Sequence, residues 1–294
     1  MFDLILIDFS WIYNKYYYVA KVRPLHTNKE RESSEYLIPN VRDMLFRLFG
    51  LIEKSYPSSK VYLVLDPPLS STENFSLCSD YKQNRNKEEK KEVYKNFKRV
   101  VGELTQLLNK KFTFVRALGY EADQVIASLA EINQEDKKVL IFSGDKDLLQ
   151  LSYFPNVEIS DKFEKGQFLL KSDKEIFEKF KNSKGEDFTR ISTNKKDILK
   201  YRVLKGDTSD NLSPVFPRIK DTEIISIIKE YWVDNQEEGL SEVRVSDIIS
   251  DIRSDNKDLA EKLENNKETW LRNYRIMNLF GFKDLPIKKV VKHG

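Results

Sequence analysis

The stretch "VLIFSGDKD", residues 139–147, is the segment from which the fold can be predicted. It is a continuous apolar run that ends in two aspartates, Asp145 and Asp147. Two other segments share this form, "LILID" at 4–8 and "VYLVLD" at 61–66. Unbroken runs of Val, Ile and Leu are typical of strands that are covered on both faces, as in a parallel sheet.

Helical patterns lie between these runs, with apolar residues recurring on one face in 41–55, 93–111 and 121–132. Strands that alternate with helices predict an α/β fold, in which a central, largely parallel sheet has helices on both faces. Helical patterns dominate the last third of the chain. We therefore predict an α/β core at 1–195 and a helix-rich C-terminal subdomain at 196–294.

Composition excludes several classes of protein. The 294 residues include 50 basic and 47 acidic side chains, for a net charge of +3. The single cysteine, Cys78, excludes an internal disulfide framework, and two histidines, His26 and His293, are too few for a histidine-rich zinc site. No apolar run approaches the roughly eighteen residues of a membrane span, and the N-terminus lacks a basic signal-peptide region. We expect a soluble, cytoplasmic protein with no membrane partner.

Acidic residues recur where such a sheet would bind a ligand, at the carboxyl ends of its strands and in nearby loops. The candidates are Asp8, Asp66, Glu121, Asp123, Asp145, Asp147, Asp207 and Asp210. If they converge, each pair at a separation of about 4 Å repels by about 4 kcal/mol at an effective dielectric constant of about 20. Bound cations would relieve this repulsion, and ligand sets made only of oxygen select Mg²⁺ or Mn²⁺. Two such ions suit phosphodiester hydrolysis, since one activates water and the other stabilises the leaving oxygen.

Each acidic motif alone also has a structural explanation. An aspartate after a strand is often a turn residue. Glu121 and Asp123 suit the first turn of a helix, where the dipole favours negative charge. Asp207 suits a helix N-cap, with Asp210 three residues later. It is the joint pattern that favours a metal centre, because capping residues need not gather at one sheet edge.

Basic and aromatic residues offer a second candidate surface. The segment "DYKQNR", residues 80–85, places Tyr81 beside Lys82 and near Arg85. Positive charge there suits phosphate binding and an aromatic ring suits base stacking. The basic residues at 86–99 fit equally well on a solvated helix face with glutamate partners. In "WIYNKYYYV", residues 11–19, most rings are expected in the core, while Lys15 is a candidate substrate contact.

At these residues the sequence resembles the 5′-nuclease superfamily, the flap endonucleases and 5′-to-3′ exonucleases, and looks closest to its bacteriophage ribonuclease H branch. The matching segments, in order across residues 1–212, are "LILIDFS", "LVLD", "YKQNR", "GYEADQVIA", "SGDKDLLQL" and "KGDTSDN". The resemblance implies a magnesium-dependent phosphodiesterase that removes RNA primers or 5′ flaps during DNA replication. It implies two Mg²⁺ ions, replaceable by Mn²⁺, held by the acidic residues above, with Asp207 and Asp210 acting partly through water.

The resemblance also implies roles for the basic residues and for partners. Lys82 and Arg85 would hold the scissile phosphate as catalytic residues, and Tyr81 would lie near the terminal nucleotides. The charged stretch around 83–100 would belong to an arch over a single-stranded 5′ end. This arch would be part of a metal-dependent nuclease core at 1–195, and the helical subdomain at 196–294 would bind nucleic acid. The expected partners are DNA and RNA·DNA with a 5′ end or flap, and a single-strand-binding protein or sliding clamp. The protein would act as a monomer, in the host cytoplasm if it is encoded by a phage.

Two departures from the family pattern bear on these expectations. Gln124 stands where many members have a further aspartate, which predicts the loss of one outer metal ligand. "NLSPVFPRIKD" at 211–221 replaces the usual glycine hairpin, and prolines cannot donate backbone hydrogen bonds to duplex phosphates. Lys205 is a candidate to contact the substrate instead. Two other functions stay open: a PIN-type single-strand ribonuclease, and a structure-specific DNA-binding protein with little catalysis.

Overall fold

The structure, a computed structural model, describes residues 1–22, 34–68, 71–83, 87–178, 194–233 and 240–290. The chain divides into two compact units. We name the described residues of Met1–Thr72, Asn86–Lys171 and Leu279–Gly294 the sheet unit, and those of Glu73–Arg85 and Ser172–Asn278 the helical unit. These bounds differ from 1–195 and 196–294 because residues 73–83 group with the later helices and the C-terminal segment returns to the sheet. The predicted assignment of functions to two domains stays a prediction.

The sheet unit is built on one sheet, whose seven described strands are β1 (Leu4–Asp8), β2 (Lys60–Val64), β3 (Phe112–Arg116), β4 (Val139–Phe142), β5 (Val157–Glu164), β6 (Gln167–Leu170) and β7 (Lys288–Lys289). Their order is β6-β5-β4-β1-β2-β3-β7. The five inner strands are parallel, while β6 and β7 are antiparallel at the two edges. The largely parallel sheet predicted from the apolar runs is confirmed.

Helices cover both faces of the sheet, as predicted. They are α1 (Phe9–Val22), α2 (Ser34–Ser55), α4 (Lys87–Leu107) and α5 (Ala122–Asn133). All of β1 is buried, which requires cover on both sides because successive side chains of a strand point to opposite faces. Ile5 and Ile7 lie in the core formed with α1, α2 and α4. On the other side, α5 packs against β1, β2 and β4.

Two of the observed strands, β2 and β4, end before the predicted runs do, while β1 ends at Asp8 as predicted. β2 ends at Val64 and β4 at Phe142, so Asp66, Asp145 and Asp147 lie in the segments that follow. Strands β3, β5, β6 and β7 are absent from the prediction. β5 and β6 form an edge hairpin that turns at Lys165 and Gly166, both with positive φ, and such half-exposed strands lack the continuous apolar signal of inner strands.

The helical unit contains α3 (Glu73–Leu77), α6 (Asp173–Glu178), α7 (Asp197–Lys205), α8 (Asp221–Ser226), α9 (Glu242–Asp255), α10 (Lys257–Glu264) and α11 (Lys267–Met277). A π-helical turn, Ile227–Tyr231, continues α8. Its core includes Trp270, which is fully buried and meets Trp232 at a ring-centroid distance of 5.3 Å. The helix-rich C-terminal part of the prediction is confirmed. Across the residues that the structure describes, no helix has both the length and the apolar character needed to cross a bilayer.

Candidate active site

Three of the predicted ligands follow neighbouring parallel strands. They therefore lie along the same edge of the sheet, the one formed by the carboxyl ends of its strands. Asp8 is the last residue of β1, Asp66 follows β2, and Asp145 follows β4. Since β1 lies between β2 and β4, the three residues meet at the carboxyl ends of the strands, where open α/β sheets bind ligands. We name Asp8, Asp66 and Asp145 the sheet-edge carboxylates.

Asp8 is the buried member of this set, with 8% of its surface exposed. Its Oδ1 accepts a hydrogen bond from the backbone N–H of Trp11 at 3.0 Å, and its Oδ2 accepts one from the Ser143 hydroxyl at 2.8 Å. Burial raises the pKa of Asp8 to about 7, and the charges of Asp66 and Asp145 add to this rise against the hydrogen bonds, which lower it. The charged form therefore needs positive charge nearby.

Asp66 joins this edge to the start of α5. Its Oδ1 accepts a hydrogen bond from the backbone N–H of Ala122 at 2.8 Å, which holds the carboxylate at a helix N-terminus, where the dipole favours negative charge. Glu121 is the N-cap residue of α5 and is buried, and Asp123 lies half-buried in the first turn. Two further predicted ligands thus lie at the same helix end as Asp66.

Gln124, the departure noted in the family pattern, has a structural role at this helix end. Its side chain is buried, and its Oε1 accepts a hydrogen bond from the backbone N–H of Glu121 at 2.9 Å. This contact satisfies a backbone donor that the helix itself leaves without a partner. Gln124 therefore helps to hold Glu121, while the predicted loss of an outer metal ligand stays a prediction.

The segment after β4 is ordered by short-range hydrogen bonds. The backbone N–H of Asp145 donates to the Ser143 hydroxyl oxygen at 3.0 Å, and Oδ1 of Asp145 accepts from the backbone N–H of Asp147 at 2.9 Å. Asp147 then begins a 3₁₀ helix, Asp147–Tyr153. Since Ser143 also donates to Asp8, its hydroxyl connects two of the sheet-edge carboxylates.

Three residues outside the predicted set shape this edge, namely Trp11, Ser143 and Gly144. A Cβ atom on Gly144 would lie 2.5 Å from Nε1 of Trp11, so only glycine allows the indole to approach so closely. The same indole meets the Phe142 ring edge-to-face at 5.5 Å. The one sequence signal for this contact is the glycine between Ser143 and Asp145, and nothing in the local pattern pairs it with a tryptophan near the N-terminus.

In the helical unit, the carboxylate of Asp207 already interacts with other groups of the same chain. Its Oδ2 lies 2.5 Å from the Arg202 guanidinium, and its Oδ1 accepts hydrogen bonds from the backbone N–H and the hydroxyl of Ser209. Burial acts to raise the pKa of Asp207, but Arg202 and Ser209 outweigh it, and the net result is a lowered pKa. The capping alternative is therefore realised, because Asp207 is the N-cap of the 3₁₀ helix Thr208–Asp210.

Asp210 contacts both predicted residues of the "DYK" segment. Its Oδ2 accepts a hydrogen bond from the Tyr81 hydroxyl at 3.4 Å and lies 3.8 Å from the Lys82 ammonium. That ammonium also lies 4.7 Å from the centre of the Tyr81 ring. Tyr81 is only 3% exposed, so its ring supports Lys82 here and offers no open face for base stacking. Its predicted contact with terminal nucleotides stays a prediction.

Lys82 itself has an unusual backbone conformation, with φ of 56°. For a residue other than glycine or asparagine this left-handed region costs about 1–2 kcal/mol. Such strain persists where the surrounding structure holds a residue firmly, which is common at functional sites. Arg85, the other predicted catalytic residue, lies outside the described residues.

The two remaining predicted substrate contacts differ in their surroundings. Lys15 is exposed, lies 4.8 Å from the centre of the Trp11 indole and donates to the backbone oxygen of Asp161 at 3.2 Å. Lys205 forms an ion pair with Asp221 at 2.6 Å. A phosphate would have to compete with Asp221 for Lys205, whereas a backbone carbonyl oxygen is a weaker competitor for Lys15.

The sheet-edge carboxylates fit a hard divalent cation. They offer only oxygen donors, which Mg²⁺ and Mn²⁺ prefer. Within the described ranges, no lysine or arginine forms an ion pair with any of the three. The raised pKa of Asp8 is the electrostatic sign of this excess of negative charge.

A family model described as "5′-3′ exonuclease, N-terminal resolvase-like domain" matches residues 3–181. The chain belongs to this family. The 5′-3′ exonuclease of Buchnera aphidicola subsp. Schizaphis graminum (strain Sg) is 26% identical over 293 residues, which cover 97% of this chain and 88% of that protein. The 5′-3′ exonuclease of Aquifex aeolicus (strain VF5) is 31% identical over 228 residues, covering 77% of this chain and 68% of its own length.

The fold of this chain is also found among solved structures. T5 5′-exonuclease with bound zinc ions superposes with a TM-score of 0.66 at 17% identity, covering 94% of this chain and 89% of that chain. At this identity the likeness establishes the fold. The predicted 5′-nuclease superfamily is confirmed, and so is the prediction that the protein is a nuclease.

Proposed function

We propose that this member of the 5′-3′ exonuclease family hydrolyses DNA and RNA·DNA near 5′ ends, as a 5′-to-3′ exonuclease and flap endonuclease with ribonuclease H activity. Removal of RNA primers or 5′ flaps during DNA replication would be its role. One observation carries the proposal, namely the meeting of the sheet-edge carboxylates where β1, β2 and β4 end, with the pKa of Asp8 raised to about 7. A site of this kind suits a bound metal and a phosphodiester substrate.

We propose two Mg²⁺ ions as the cofactor, with Mn²⁺ able to replace them. The inner ligands would be Asp8, Asp66, Glu121, Asp123, Asp145 and Asp147. Asp207 and Asp210, whose oxygens already contact protein donors, would contribute to the second ion partly through water. When bound, the ions activate the attacking water and neutralise charge on the leaving oxygen.

The chain's own cations would act on the phosphate. Lys82 is the best placed by its contacts, because Tyr81 and Asp210 restrict its ammonium group and a restricted charge stabilises a transition state without reorganisation. We assign Arg85 to the same phosphate from its place in the sequence. Lys15, exposed beside Trp11, and Lys205, once released from Asp221, are proposed to contact the substrate away from the reacting phosphate.

A cleavage panel tests the proposal. It compares a 5′ flap, a nicked duplex, RNA·DNA and a plain single strand, each with Mg²⁺ and with EDTA. We expect Mg²⁺-dependent products from the flap and from RNA·DNA, with no cleavage in EDTA. Labels at the 5′ and 3′ ends distinguish release of a 5′ fragment from random cutting.

The same panel separates the two other candidate functions. Tight binding of the flap without cleavage in Mg²⁺ or Mn²⁺ would favour a structure-specific DNA-binding protein. Cleavage confined to single-stranded RNA, without need of a 5′ end, would favour a PIN-type ribonuclease. Either result would overturn the proposed function.

A further inference from the structure

Two tight turns of the helical unit lie far apart in the sequence but are joined by hydrogen bonds and an ion pair. We name Asp80–Gln83 the lysine turn; it is closed by a hydrogen bond from the Gln83 backbone N–H to the Asp80 oxygen at 3.1 Å. We name Asp207–Asn211 the acid turn; it contains the 3₁₀ helix and ends at Asn211 in the left-handed conformation.

Four contacts join the two turns. The backbone N–H of Lys82 donates to the Asp210 backbone oxygen at 2.9 Å. The Asp210 carboxylate meets the Tyr81 hydroxyl at 3.4 Å and the Lys82 ammonium at 3.8 Å. In the fourth contact the donor belongs to the acid turn, because the side-chain amide of Asn211 donates to the Asp80 backbone oxygen at 2.9 Å. Asn211 therefore holds the first residue of the turn that carries Lys82.

Position 211 makes two demands that few residue types meet together. Its φ of 61° and ψ of 33° lie in the left-handed region, which glycine and asparagine adopt most readily. It must also donate a side-chain hydrogen bond over a short reach. Glycine meets the first demand only, and glutamine has the donor but not the backbone preference. Asparagine meets both.

We propose that Asn211 is a positioning residue for the cleavage reaction, acting through Lys82. Its amide fixes the Asp80 carbonyl group and so keeps the lysine turn, with the left-handed Lys82, in the geometry that presents the ammonium group. The inference rests on the proposed function, in which Lys82 acts on the scissile phosphate. Without the amide, the turn can relax toward conformations that lysine prefers, which displaces the ammonium group.

The central variant is Asn211→Gly, which removes the amide but tolerates the backbone conformation. We expect kcat for a 5′ flap to fall about tenfold with little change in KM, since misplacing a group that acts in the transition state lowers kcat first. Asn211→Ala should lose at least as much, because alanine also disfavours the left-handed backbone. The matched control is Lys165→Gly, which relieves another left-handed residue, with φ of 50°, in the β5–β6 hairpin; it should leave kcat unchanged.

A readout that does not depend on catalysis is hydrogen–deuterium exchange of the lysine turn. In Asn211→Gly, the amides of residues 80–83 should exchange faster while peptides from β1 and α5 stay as in the wild type. Unchanged exchange in the lysine turn would overturn the proposal, as would faster exchange with wild-type kcat and KM.

A double-mutant cycle tests the route through Lys82. In the Lys82→Ala background, Asn211→Gly should lower kcat no further, because residues that act through one group are not additive. A second full loss would mean that Asn211 acts independently of Lys82 and would overturn the proposal. If the wild-type protein fails to cleave any substrate with Mg²⁺, it is the proposed function that fails; if the wild type cleaves and the cycle is additive, only the inference about Asn211 fails.

Discussion

The predicted metal ligands at the sheet edge and those of the helical unit have opposite kinds of neighbours. The sheet-edge carboxylates accept hydrogen bonds from backbone N–H groups and from Ser143, and over the described part of the chain no basic side chain pairs with them. In the helical unit, Asp207 pairs with Arg202, and Asp210 lies against Lys82. Asp145 and Asp207 nevertheless begin similar motifs, in each of which a second aspartate follows two or three residues later.

This difference separates two uses of a carboxylate. An acid with an internal cation is stabilised by the protein, and removing one partner leaves the other buried and unpaired. An acid that faces only other acids gains from a cation supplied by the solvent. The comparison thus ranks the predicted ligands, since the sheet edge should depend on metal more strongly than Asp207, whose pKa is already lowered by its partners.

The largest effect is expected from Asp145→Asn at the sheet edge. It removes one charge from the proposed metal centre while keeping the shape of the side chain, so cleavage of a 5′ flap in Mg²⁺ should fall by about 1000-fold, the scale of losing a principal electrostatic contact. Circular dichroism and flap binding should stay near wild-type values. Asp3→Asn is the matched control, since Asp3 precedes β1 at the opposite end of the sheet and its Oδ2 accepts a hydrogen bond from the backbone N–H of Lys138, the residue before β4. Full activity in Asp145→Asn would remove the distinction between the two acid sets.

A second test concerns how the sheet edge is held. In Gly144→Ala the new methyl group would collide with Trp11, and we expect a loss of stability of about 1–3 kcal/mol, typical of overpacking, with a lower kcat. Trp11→Phe in the same chain should restore part of the loss, because its ring is smaller. Gly50→Ala is the control, since nothing lies within 4 Å of the added atom. If Gly144→Ala has the same stability and kcat as the wild type, the close approach of Trp11 to Gly144 is unimportant for both.

A third test uses pH. Burial and the nearby acids raise the pKa of Asp8 from its ordinary 3.8 to about 7 in the folded chain. Protonation of Asp8 therefore stabilises the fold, fully below about pH 4 and less as the pH rises through about 7. In EDTA, thermal unfolding should therefore show falling stability from pH 4.5 to 7.5, by a few kcal/mol on the scale of about 1.4 kcal/mol per pKa unit. Saturating Mg²⁺ should flatten this dependence, and so should Asp8→Asn. Identical slopes with and without Mg²⁺ would argue against a cation beside Asp8.

The smallest effect is expected in the helical unit. Arg202→Gln removes the partner of Asp207 and should cost about 1–2 kcal/mol of stability, below the range for fully buried pairs. The wild type should lose the contribution of this pair as the pH falls below about 4, since the pKa of Asp207 is lowered in the folded state. In Arg202→Gln this loss of stability at low pH should be smaller, because Asp207 no longer has its cationic partner. Calorimetry across pH 3–6 measures both, and adding Asp207→Asn should cost little more.

Much of the fold was predictable because its strongest signals are local. The runs that became β1, β2 and β4 are continuously apolar up to the polar residues at their ends, as burial on both faces requires. β5 and β6 escaped prediction because an edge hairpin exposes half of its side chains. The two-residue β7 pairs with β3 and carries only lysines, so its strand state depends on that partner.

For the candidate site, the sequence predicted which acidic residues take part better than it predicted the contacts that hold them in place. Asp8, Asp66 and Asp145 could be assigned to one edge because parallel strands end on the same side. The hydroxyl of Ser143 and the ring of Trp11 could not be assigned to this edge from the sequence, since both act through contacts with residues distant in the sequence. Family resemblance supplied the proposed role of Lys82, but not the burial of Tyr81 beneath it.

The sequence by itself determined that strands would be buried and parallel, and that carboxylates would follow them, because periodicity and strand ends are properties of short segments. The tertiary structure alone decided which acids meet other acids and which meet a cation. Asp207 and Asp145 both follow a glycine, yet Asp207 lies against Arg202 while Asp145 faces Asp8. The electrostatic state of a carboxylate depends on charges brought near by the closed chain, and Coulomb energies fall with distance in space rather than along the sequence.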